Sequence, residues 1–357
     1  MMSMDPAITR DSGDFGQCES AERSRSVSQI LDEARQLTEP SYRAAIERLP
    51  GPLDAVAKYH IGWADSDGNP ARATGKAIRP ALTLLSARAA GGRPVRAVPA
   101  AVAVELIHDF SLLHDDVMDG DRTRRHRPAA WTVFGTGTAV LTGDGLLALA
   151  SDLVASVPVP TAPVVLARTL MDLCRGQAAD TSFEQRSDVT LADAIATAEN
   201  KTGGLLGAAC QLGALTAGAD PGAGLCYWEF GRQLGMVFQL VDDLLGIWGD
   251  SRRTGKPAGA DLARKKQTLP VVAALASDSA AGKRLAQLYR SARVPDQRAV
   301  GEAAMLIEQA GGRDWVRTEI PRRWKRAFDS LAEADPVDDD AVTELRALAR
   351  YLAHRSS

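Results

Sequence analysis

The stretch AAVAVELIHDFSLLHDDVMDGDRTRR, residues 100–125, runs from apolar residues into four aspartates and then into arginines. Its apolar residues recur at spacings of three and four, which predicts a helix buried in a core. Carboxylates at the end of a buried helix need a partner, because an isolated charge is costly to remove from water. The first candidate partner is a metal ion, and the alternative is a solvated helix end.

The composition of the whole chain limits the class of protein. The 357 residues are 45% hydrophobic with a formal net charge of −3, so the chain can bury a large core and has no electrostatic footprint for nucleic acid. The four cysteines are widely spaced without a CxxC pair, which favours a reducing, cytoplasmic compartment over a disulfide framework or a zinc site. There is no secretory signal and no run of about 18 uncharged apolar residues, so we expect no transmembrane segment.

Helical periodicity continues outward from this stretch over almost the whole chain. Further runs of this kind are LLSARAAGG, AIATAENKTGGLLGAACQLGAL and FGRQLGMVFQLVDDLLGIW. Alternation of β-branched residues is scarce and only 5% of residues are aromatic, which disfavours a sheet. Prolines are expected at joints, namely Pro80, Pro128 and the group Pro158, Pro160 and Pro163 between two helices. We predict an all-α protein with a disordered tail at residues 1–26 and a single large helical domain at residues 27–357.

The aspartates after the first apolar run form a DDxxD pattern. On a helix Asp115 and Asp119 are four residues apart and Asp116 and Asp119 three apart, so they share a face. Magnesium prefers oxygen ligands and is usually held by one or two carboxylates together with substrate phosphates. A single short acidic run is weak evidence for a metal site.

A second apolar helix carries another carboxylate pair. Asp242 and Asp243 come late in GMVFQLVDDLLGIWGD, and Gln239 lies one turn before them on the same face. Two such helices that face each other can clamp two or three divalent ions across a pocket. The alternative, two solvated helix ends, is disfavoured by the apolar residues that precede each pair.

Basic residues accompany both motifs. Lys76 and Arg79 are three apart in TGKAIRP, and we expect them on one helical face before Pro80. Arginine suits bidentate phosphate contacts and lysine suits point-charge contacts, so the set predicts a diphosphate ligand. The other members are Arg122, Arg124, Arg125, Arg127, Lys201, Lys256, Arg264, Lys265 and Lys266, of which Arg122, Arg127, Arg264 and one of Lys265 and Lys266 can equally be surface charges.

Seven blocks in order give the sequence its resemblance to the trans-isoprenyl diphosphate synthases, the polyprenyl synthetase family, over about residues 27–355. The blocks are GKAIRP, ELIHDFSLLHDDVMDGDRTRRHRP, LTGDGLLALA, RGQAADTSFE, KTGGL, FQLVDDLLGIWGD and GKPAGADLARKKQTLP. The resemblance implies an isoprenoid synthase fold, with helices around a central active-site cavity, and a homodimer. It also implies a magnesium-dependent, head-to-tail condensation of isopentenyl diphosphate with dimethylallyl, geranyl or farnesyl diphosphate.

The resemblance also implies roles for individual residues. Asp115, Asp119 and Asp242 would be the principal ligands of two or three magnesium ions, which manganese could replace. The catalytic set would be completed by Asp116, Asp243 and Lys201, with the two aspartates supporting the ligands. The positions that match the allylic diphosphate site are Arg124, Lys201, Thr202, Gln239 and Lys256, and those that match the isopentenyl diphosphate site are Lys76, Arg79, His108 and Arg125. No side-chain base is evident, so we expect the departing diphosphate to take the final proton and His108 and His114 to position or brace.

Two blocks depart from the family pattern. Gly246 stands where DDxxD has its last aspartate, so Asp242 would suffice as the ligand, with Asp250 as a water-mediated helper. The block after Asp261 reads LARKKQTLP where many members have a Gly-Lys pair. The sequence therefore leaves open whether Lys265 or Lys266 reaches the diphosphate.

Product length in this family depends on the residues before the first motif. Phe110 and Ser111 stand five and four residues before Asp115. In the family an aromatic at the fifth position blocks elongation, and a pair of aromatics favours a fifteen-carbon product. One aromatic followed by a serine is most like a short-chain enzyme that makes geranylgeranyl diphosphate, with farnesyl or longer diphosphates as alternatives.

Two other classes of protein were weighed. A class I terpene cyclase shares the fold and the metals, but Gly246 stands at its Ser/Thr position, and it would not need the second diphosphate site of Lys76 and Arg79. A non-catalytic partner subunit should have lost at least one aspartate motif, and both are present. Prenyl chain elongation is the function that the sequence favours.

Overall fold

α-Helices make up about three quarters of the part of the chain that the computed structural model describes, which is residues 25–71, 75–183, 186, 188–249, 259–291 and 295–354. The helices are α1 (Val27–Ile46), α2 (Leu53–Ile61), α3 (Ile78–Ala89), α4 (Val98–Met118), α5 (Ala130–Phe134), α6 (Thr136–Ala155), α7 (Ala162–Phe183), α8 (Leu191–Ala198), α9 (Gly204–Thr216), α10 (Pro221–Trp248), α11 (Ala260–Ala263), α12 (Leu269–Leu275), α13 (Ala280–Arg290), α14 (Gln297–Gln309), α15 (Gly312–Glu333) and α16 (Asp339–His354). A 3-10 turn (Pro94–Ala97) precedes α4, and one turn of π-helix (Glu199–Gly203) joins α8 to α9. The all-α prediction is confirmed.

The helix α9 lies at the centre of the fold. Residues 204–216 include no charged side chain and are mostly glycine, alanine and leucine, and nearly all of them are buried. A helix that is apolar on every face has to be surrounded by other elements, and α3, α4, α7 and α10 pack around it. This packing brings the C-terminal end of α4, the π-helical turn and the second half of α10 into one region, where both aspartate motifs lie.

The start of α3 differs from the prediction. Ala77 has a left-handed backbone, with φ of 53°, and the helix begins only at Ile78. Arg79 is therefore in the first turn, whereas Lys76 precedes the helix, so the expected shared helical face is wrong. The spacing of three suggested a helix, but a left-handed alanine carries no sequence signal.

A short antiparallel hairpin follows the first aspartate motif and was not predicted. Strands β1 (Thr123–Arg124) and β2 (Arg127–Pro128) pair with each other. Arg125 and His126 form the turn, with φ of 51° and 63°. Two positive φ values match the backbone twist of a tight hairpin, but the turn lacks the glycine or asparagine that usually signals one.

The first helix of the described chain begins with a capping box. The Ser26 hydroxyl accepts a hydrogen bond from the Gln29 backbone N–H, and the Gln29 side chain accepts one from the Ser26 backbone N–H. This capping box starts α1 at Val27. Residues 1–24 of the predicted tail lie outside the described residues, so the disorder of the tail stays a prediction.

Two helices are long and apolar enough to cross a bilayer by length and composition. They are the segments Pro94–Met118, whose apolar window is 61% buried, and Thr136–Ala155, whose window is 39% buried. Core helices of soluble proteins pass the same test, so this is weak evidence for a membrane span. The expectations of no transmembrane segment and of a cytoplasmic location stay predictions.

Candidate active site

Lys201 connects the first aspartate motif to α7. From the π-helical turn its Nζ donates to Asp115 Oδ1 at 2.9 Å and to Asp180 Oδ2 at 2.7 Å. Burial disfavours the charged form of Asp180, but Lys266 and Lys201 outweigh it and lower the pKa of this carboxyl. Asp180 was missed in the sequence, although it stands in the block RGQAADTSFE. Lys201 thus brings the Asp180 carboxylate close to that of Asp115, a predicted metal ligand.

Asp116 is buried against the hairpin. It is 1% exposed, and Arg124 donates to its Oδ1 from Nε at 2.9 Å and also from a terminal amino group. Its other oxygen, Oδ2, is buried with no hydrogen-bond partner among the described residues. Burial raises the pKa of Asp116, although Arg124 opposes the shift. Asp116 therefore orients Arg124, whose terminal amino group also lies 3.9 Å from Asp115 Oδ2.

Asp119 ends α4 and faces the same region. It is the C-terminal cap of the helix. Burial and the nearby Asp115 carboxylate raise the pKa of Asp119, while Lys201 and Lys266 oppose the shift. A like charge raises the pKa of a carboxyl only from close by, and the Asp119 backbone N–H donates to the Asp115 carbonyl at 2.8 Å. The predicted pair Asp115 and Asp119 is thus together in space as well as in sequence.

The two aspartates of the second motif have different surroundings. Asp242 is exposed, whereas Asp243 is 4% exposed. Asp243 accepts hydrogen bonds from Gln239 Nε2 at 2.7 Å and from the Leu269 backbone N–H at 2.9 Å. Burial raises the pKa of Asp243 to about 7 against these two bonds. Asp243 therefore holds α10 and α12 together, and Asp242 is the carboxylate that solvent reaches.

Thr202 and Gln239, which the family resemblance assigns to one diphosphate site, contact each other. The Thr202 hydroxyl donates to Gln239 Oε1 at 2.7 Å, and the amide of Gln239 donates onward to Asp243. This chain of hydrogen bonds links the π-helical turn to α10. It fixes Lys201, next to Thr202, relative to the second motif.

Lys266 lies between the two motifs. Its Nζ is 4.0 Å from Asp180 Oδ2. Burial disfavours its charge, but the carboxylates of Asp180, Asp261, Asp243 and Asp119 raise its pKa. Because Asp119 belongs to the first motif and Asp243 to the second, both motifs border one cluster of charge.

Lys265 turns away from this cluster. Its backbone is left-handed, with φ of 53°, and its Nζ donates to the Ser291 carbonyl. Lys266 is therefore the lysine that reaches the acidic cluster, which the sequence left open. Its contact with a diphosphate stays a prediction.

Asp261 takes the space beside Gly246. A Cβ added at Gly246 would overlap the Asp261 carboxylate, with Cγ only 2.7 Å away. Because Gly246 has no side chain, the Asp261 carboxylate of α11 can lie where the last aspartate of a DDxxD motif would otherwise be. Asp261 was not predicted as a site residue. The predicted water-mediated helper Asp250 and the predicted diphosphate ligand Lys256 lie outside the described residues.

A second group of charged side chains surrounds His108. Burial and the Arg79 guanidinium lower the pKa of His108 well below its ordinary value, so the imidazole is neutral at neutral pH. Burial also raises the pKa of Glu105 to about 7, with Arg79 and Arg125 opposing the shift. The predicted residues Arg79, His108 and Arg125 therefore lie near one another. The Lys76 side chain packs over the Tyr351 ring, with Nζ 5.7 Å from the ring centre.

Asp109 anchors this group from behind. It is 3% exposed, accepts a hydrogen bond from the Tyr42 hydroxyl and lies 3.6 Å from His60 Nε2. Burial disfavours its charge, but His60, His108 and Arg125 lower its pKa well below the ordinary value. Neither Asp109 nor Glu105 was predicted, although two acidic residues four apart in an apolar run are a signal in the sequence.

The predicted chain-length residues lie on α4 before Asp115. Phe110 is partly buried, and its ring packs against His114, with ring centroids 4.7 Å apart. The Ser111 hydroxyl donates to the His108 carbonyl at 2.8 Å. His114 Nε2 lies 3.0 Å from the Val140 carbonyl of α6, and its bracing role stays a prediction.

Three arginines that the sequence left as surface charges differ in placement. Arg264 is exposed and pairs with Asp121, and Arg122 is exposed near the Trp131 ring. Arg127 instead donates to the backbone carbonyls of Tyr59 and Ala64, at 3.3 and 2.9 Å. The surface interpretation therefore does not hold for Arg127, which fastens the hairpin to the end of α2.

The donor set fits a divalent metal that is shared with a ligand. Among the described residues, no group of three or more histidine, cysteine, aspartate or glutamate side chains could hold a metal by itself. Magnesium is commonly held by one or two carboxylates plus phosphate oxygens and water. Oxygen ligands on two helices, and the orphaned Asp116 Oδ2 behind them, agree with that mode of binding.

Comparisons with known proteins extend over nearly the whole chain. A family model described as polyprenyl synthetase matches residues 69–307. The chain is 44% identical to a geranylgeranyl diphosphate synthase of Mycobacterium tuberculosis (strain ATCC 25618 / H37Rv), over 85% of this chain and 89% of the relative. It is 40% identical to a (2E,6E)-farnesyl diphosphate synthase of the same strain, over 96% and 97% of the two chains. The crystal structure of a polyprenyl synthetase from Streptomyces coelicolor A3(2) matches with a TM-score of 0.87 and 43% identity, over 92% of this chain and 99% of that one. This likeness confirms the expected fold.

Proposed function

Because the chain belongs to the polyprenyl synthetase family, whose prenyltransferases elongate prenyl chains head to tail, we propose that geranylgeranyl diphosphate is its main product. The substrates would be isopentenyl diphosphate and a dimethylallyl, geranyl or farnesyl diphosphate. The pair Phe110 and Ser111 before the first motif carries the proposal. The two relatives from one organism point to a C20 and a C15 product, so overall similarity does not choose between them. A single aromatic followed by a small side chain favours the longer product.

The charged side chains divide between two diphosphates. We propose that Asp115, Asp119 and Asp242 hold two or three magnesium ions on the allylic diphosphate, and that Lys201, Arg124 and Lys266 neutralise it further. When bound, the metal supplies Lewis-acid stabilisation of the leaving diphosphate oxygens. Arg79, His108 and Arg125 would bind isopentenyl diphosphate. A neutral His108 can donate a hydrogen bond to that diphosphate, and its lowered pKa makes it a weak base.

The helices must also exclude water from the reaction. An allylic carbocation would be quenched by water, so the prenyl chain needs an apolar enclosure. The buried apolar residues of α4 that precede Asp115, among them Leu106, Ile107 and Leu113, would form the packed core behind such an enclosure. The proton lost after the condensation would go to the departing diphosphate.

The test is a set of single-starter incubations. The purified protein with magnesium and isopentenyl diphosphate is given each allylic diphosphate in turn, and products are identified by mass. A C20 diphosphate from all three starters is expected, and EDTA should abolish the reaction until magnesium or manganese is restored. Products that stop at C15 would make the chain a farnesyl diphosphate synthase. A hydrocarbon formed without isopentenyl diphosphate would indicate a cyclase.

We also propose a homodimer formed through α6 and α7. These two helices pack on each other, and each exposes an apolar side chain, Leu141 at 58% and Met171 at 56%. The other exposed positions on the two helices include alanines at 148, 155, 167 and 178. Charged side chains such as Asp144 and Arg175 are exposed on the same helices, so the proposal rests on the apolar positions between them, because large exposed apolar side chains that lie together are typical of an interface. Light scattering should give twice the chain mass, and a double variant with Leu141→Glu and Met171→Glu should give the monomer mass.

A further inference from the structure

Phe110 is held in place from α6 through His114. The two rings pack edge to face, with planes at 62°. His114 Nε2 lies 3.0 Å from the Val140 carbonyl and 3.6 Å from Asp144 Oδ1. Since both neighbours are acceptors, Nε2 carries the proton. One turn of α6, residues 140–144, thus fixes the ring of His114, and His114 supports the ring of Phe110.

Gly143 makes this close packing possible. A Cβ added there would lie 2.5 Å from His114 Cδ2 and 3.4 Å from Phe110 Cδ2. Carbon atoms cannot approach to 2.5 Å without bonding, so a larger residue has to displace the His114 ring and press on Phe110. This explains the glycine of the block LTGDGLLALA, to which the proposed function gives no role.

The direction of the displacement follows from the faces of α4. His114 faces α6, whereas Asp115 faces Lys201 and Asp180. One turn earlier, Phe110 lies under His114 and Ser111 lies under Asp115. A ring that is pushed away from α6 therefore moves toward the stripe of Ser111 and Asp115, along which the prenyl chain grows.

We infer that Gly143 is a specificity-determining residue for product length and that His114 is a positioning residue for Phe110. The inference rests on the proposed function, because it concerns a prenyl chain that lengthens past Phe110. The His114 ring contacts Phe110, Val140 and Asp144, and none of these three residues is assigned to metal or diphosphate. Changes at either position should therefore alter where elongation stops and leave the first condensation intact.

The test compares product lengths of single variants with one starter. Gly143→Ala, with geranyl diphosphate, isopentenyl diphosphate and magnesium, should lower the C20-to-C15 product ratio by about tenfold, because the displaced rings narrow the cavity. The initial rate of isopentenyl transfer should stay within about twofold, since no diphosphate contact changes. The matched control is Gly137→Ala on the same helix, where an added Cβ meets nothing within 4 Å. It should leave the ratio unchanged.

A second variant separates packing from folding. His114→Ala removes the ring that the new Cβ would strike, so the double variant Gly143→Ala, His114→Ala should fold even if Gly143→Ala alone does not. We expect the double variant to lose the shortening, and His114→Ala alone to release Phe110 and lengthen the product. An unchanged product ratio in Gly143→Ala or in His114→Ala, with initial rates intact, would overturn the inference. Failure of the unmodified protein to transfer isopentenyl units would overturn the proposed function instead.

Discussion

Phe110 stands on α4 with its ring supported on one side by His114, so its removal opens space on the α4 face below His114, beside the stripe of Ser111 and Asp115. We predict that Phe110→Ala yields products longer than C20, since the growing prenyl chain can extend into the volume that the Phe110 ring occupied. The reverse change, Ser111→Phe, should shift the main product to C15 by creating a pair of aromatics. Mass analysis of products from farnesyl diphosphate and geranyl diphosphate checks both. An unchanged product spectrum in Phe110→Ala would place the floor of the cavity elsewhere.

The contact between Gly246 and Asp261 suggests how the second motif works without its last aspartate. We predict that Gly246→Ala displaces the Asp261 carboxylate and raises the magnesium concentration for half-maximal activity by about tenfold, the loss of one charge-assisted contact. Asp261→Asn should have a similar effect, while Gly246→Asp brings its own carboxylate and should restore part of the affinity. The rise in melting temperature on adding magnesium with inorganic diphosphate gives a readout independent of turnover. Gly301→Ala on α14, where the added Cβ meets nothing, is the control, and an equal effect there would refute the idea.

Helix packing, at the scale of elements, assigns different tasks to the adjacent aspartates of α10. Asp243 accepts the Leu269 N–H at the start of α12, so Asp243→Ala leaves a buried donor unpaired. We predict a loss of about 1–3 kcal/mol in the free energy of unfolding. Asp242→Ala removes an exposed carboxylate, so it should raise the magnesium requirement with little change in stability. Urea unfolding in EDTA compares the two variants, and equal losses of stability would contradict this division.

The same elements show what the sequence could predict. The helices of both aspartate motifs followed from apolar spacing, because burial imposes the period of the helix on the sequence. The late start of α3 depends on the left-handed backbone of Ala77, and the hairpin turn depends on those of Arg125 and His126. Alanine, arginine and histidine rarely adopt this conformation, so their identities could not predict it. Asp180 and Lys266 are 86 residues apart and meet only through tertiary packing, so spacing along the chain could not identify them as partners.

Over the whole molecule, a buried ionic network joins the two ends of the described chain. Glu344 on α16 is 1% exposed and accepts from Arg25 Nε and from an Arg88 amino group, each at 2.9 Å. Arg88 also donates to Asp338 at 2.8 Å. Burial disfavours the charge of Glu344, but the hydrogen bonds and charges of Arg25 and Arg88 lower its pKa below the ordinary value. The network thus fastens the segment before α1, the helix α3 and the helix α16 to one another.

Removal of the Glu344 charge should therefore cost stability in a pH-dependent way. A carboxyl whose pKa is lower in the folded than in the unfolded chain stabilises the fold above its unfolded pKa of about 4.3, and this contribution disappears as the pH falls through the folded value. We predict that Glu344→Gln lowers the free energy of unfolding by about 2–3 kcal/mol at pH 7, because two arginines lose their buried partner, and that the deficit shrinks below pH 4. Urea unfolding at pH 7 and pH 3.5 measures both. Glu308→Gln, which breaks an exposed pair with Arg313, should change little at either pH, because water screens that pair. A Glu344→Gln deficit that persisted in acid would mean that the side chain acts through packing and not through its charge.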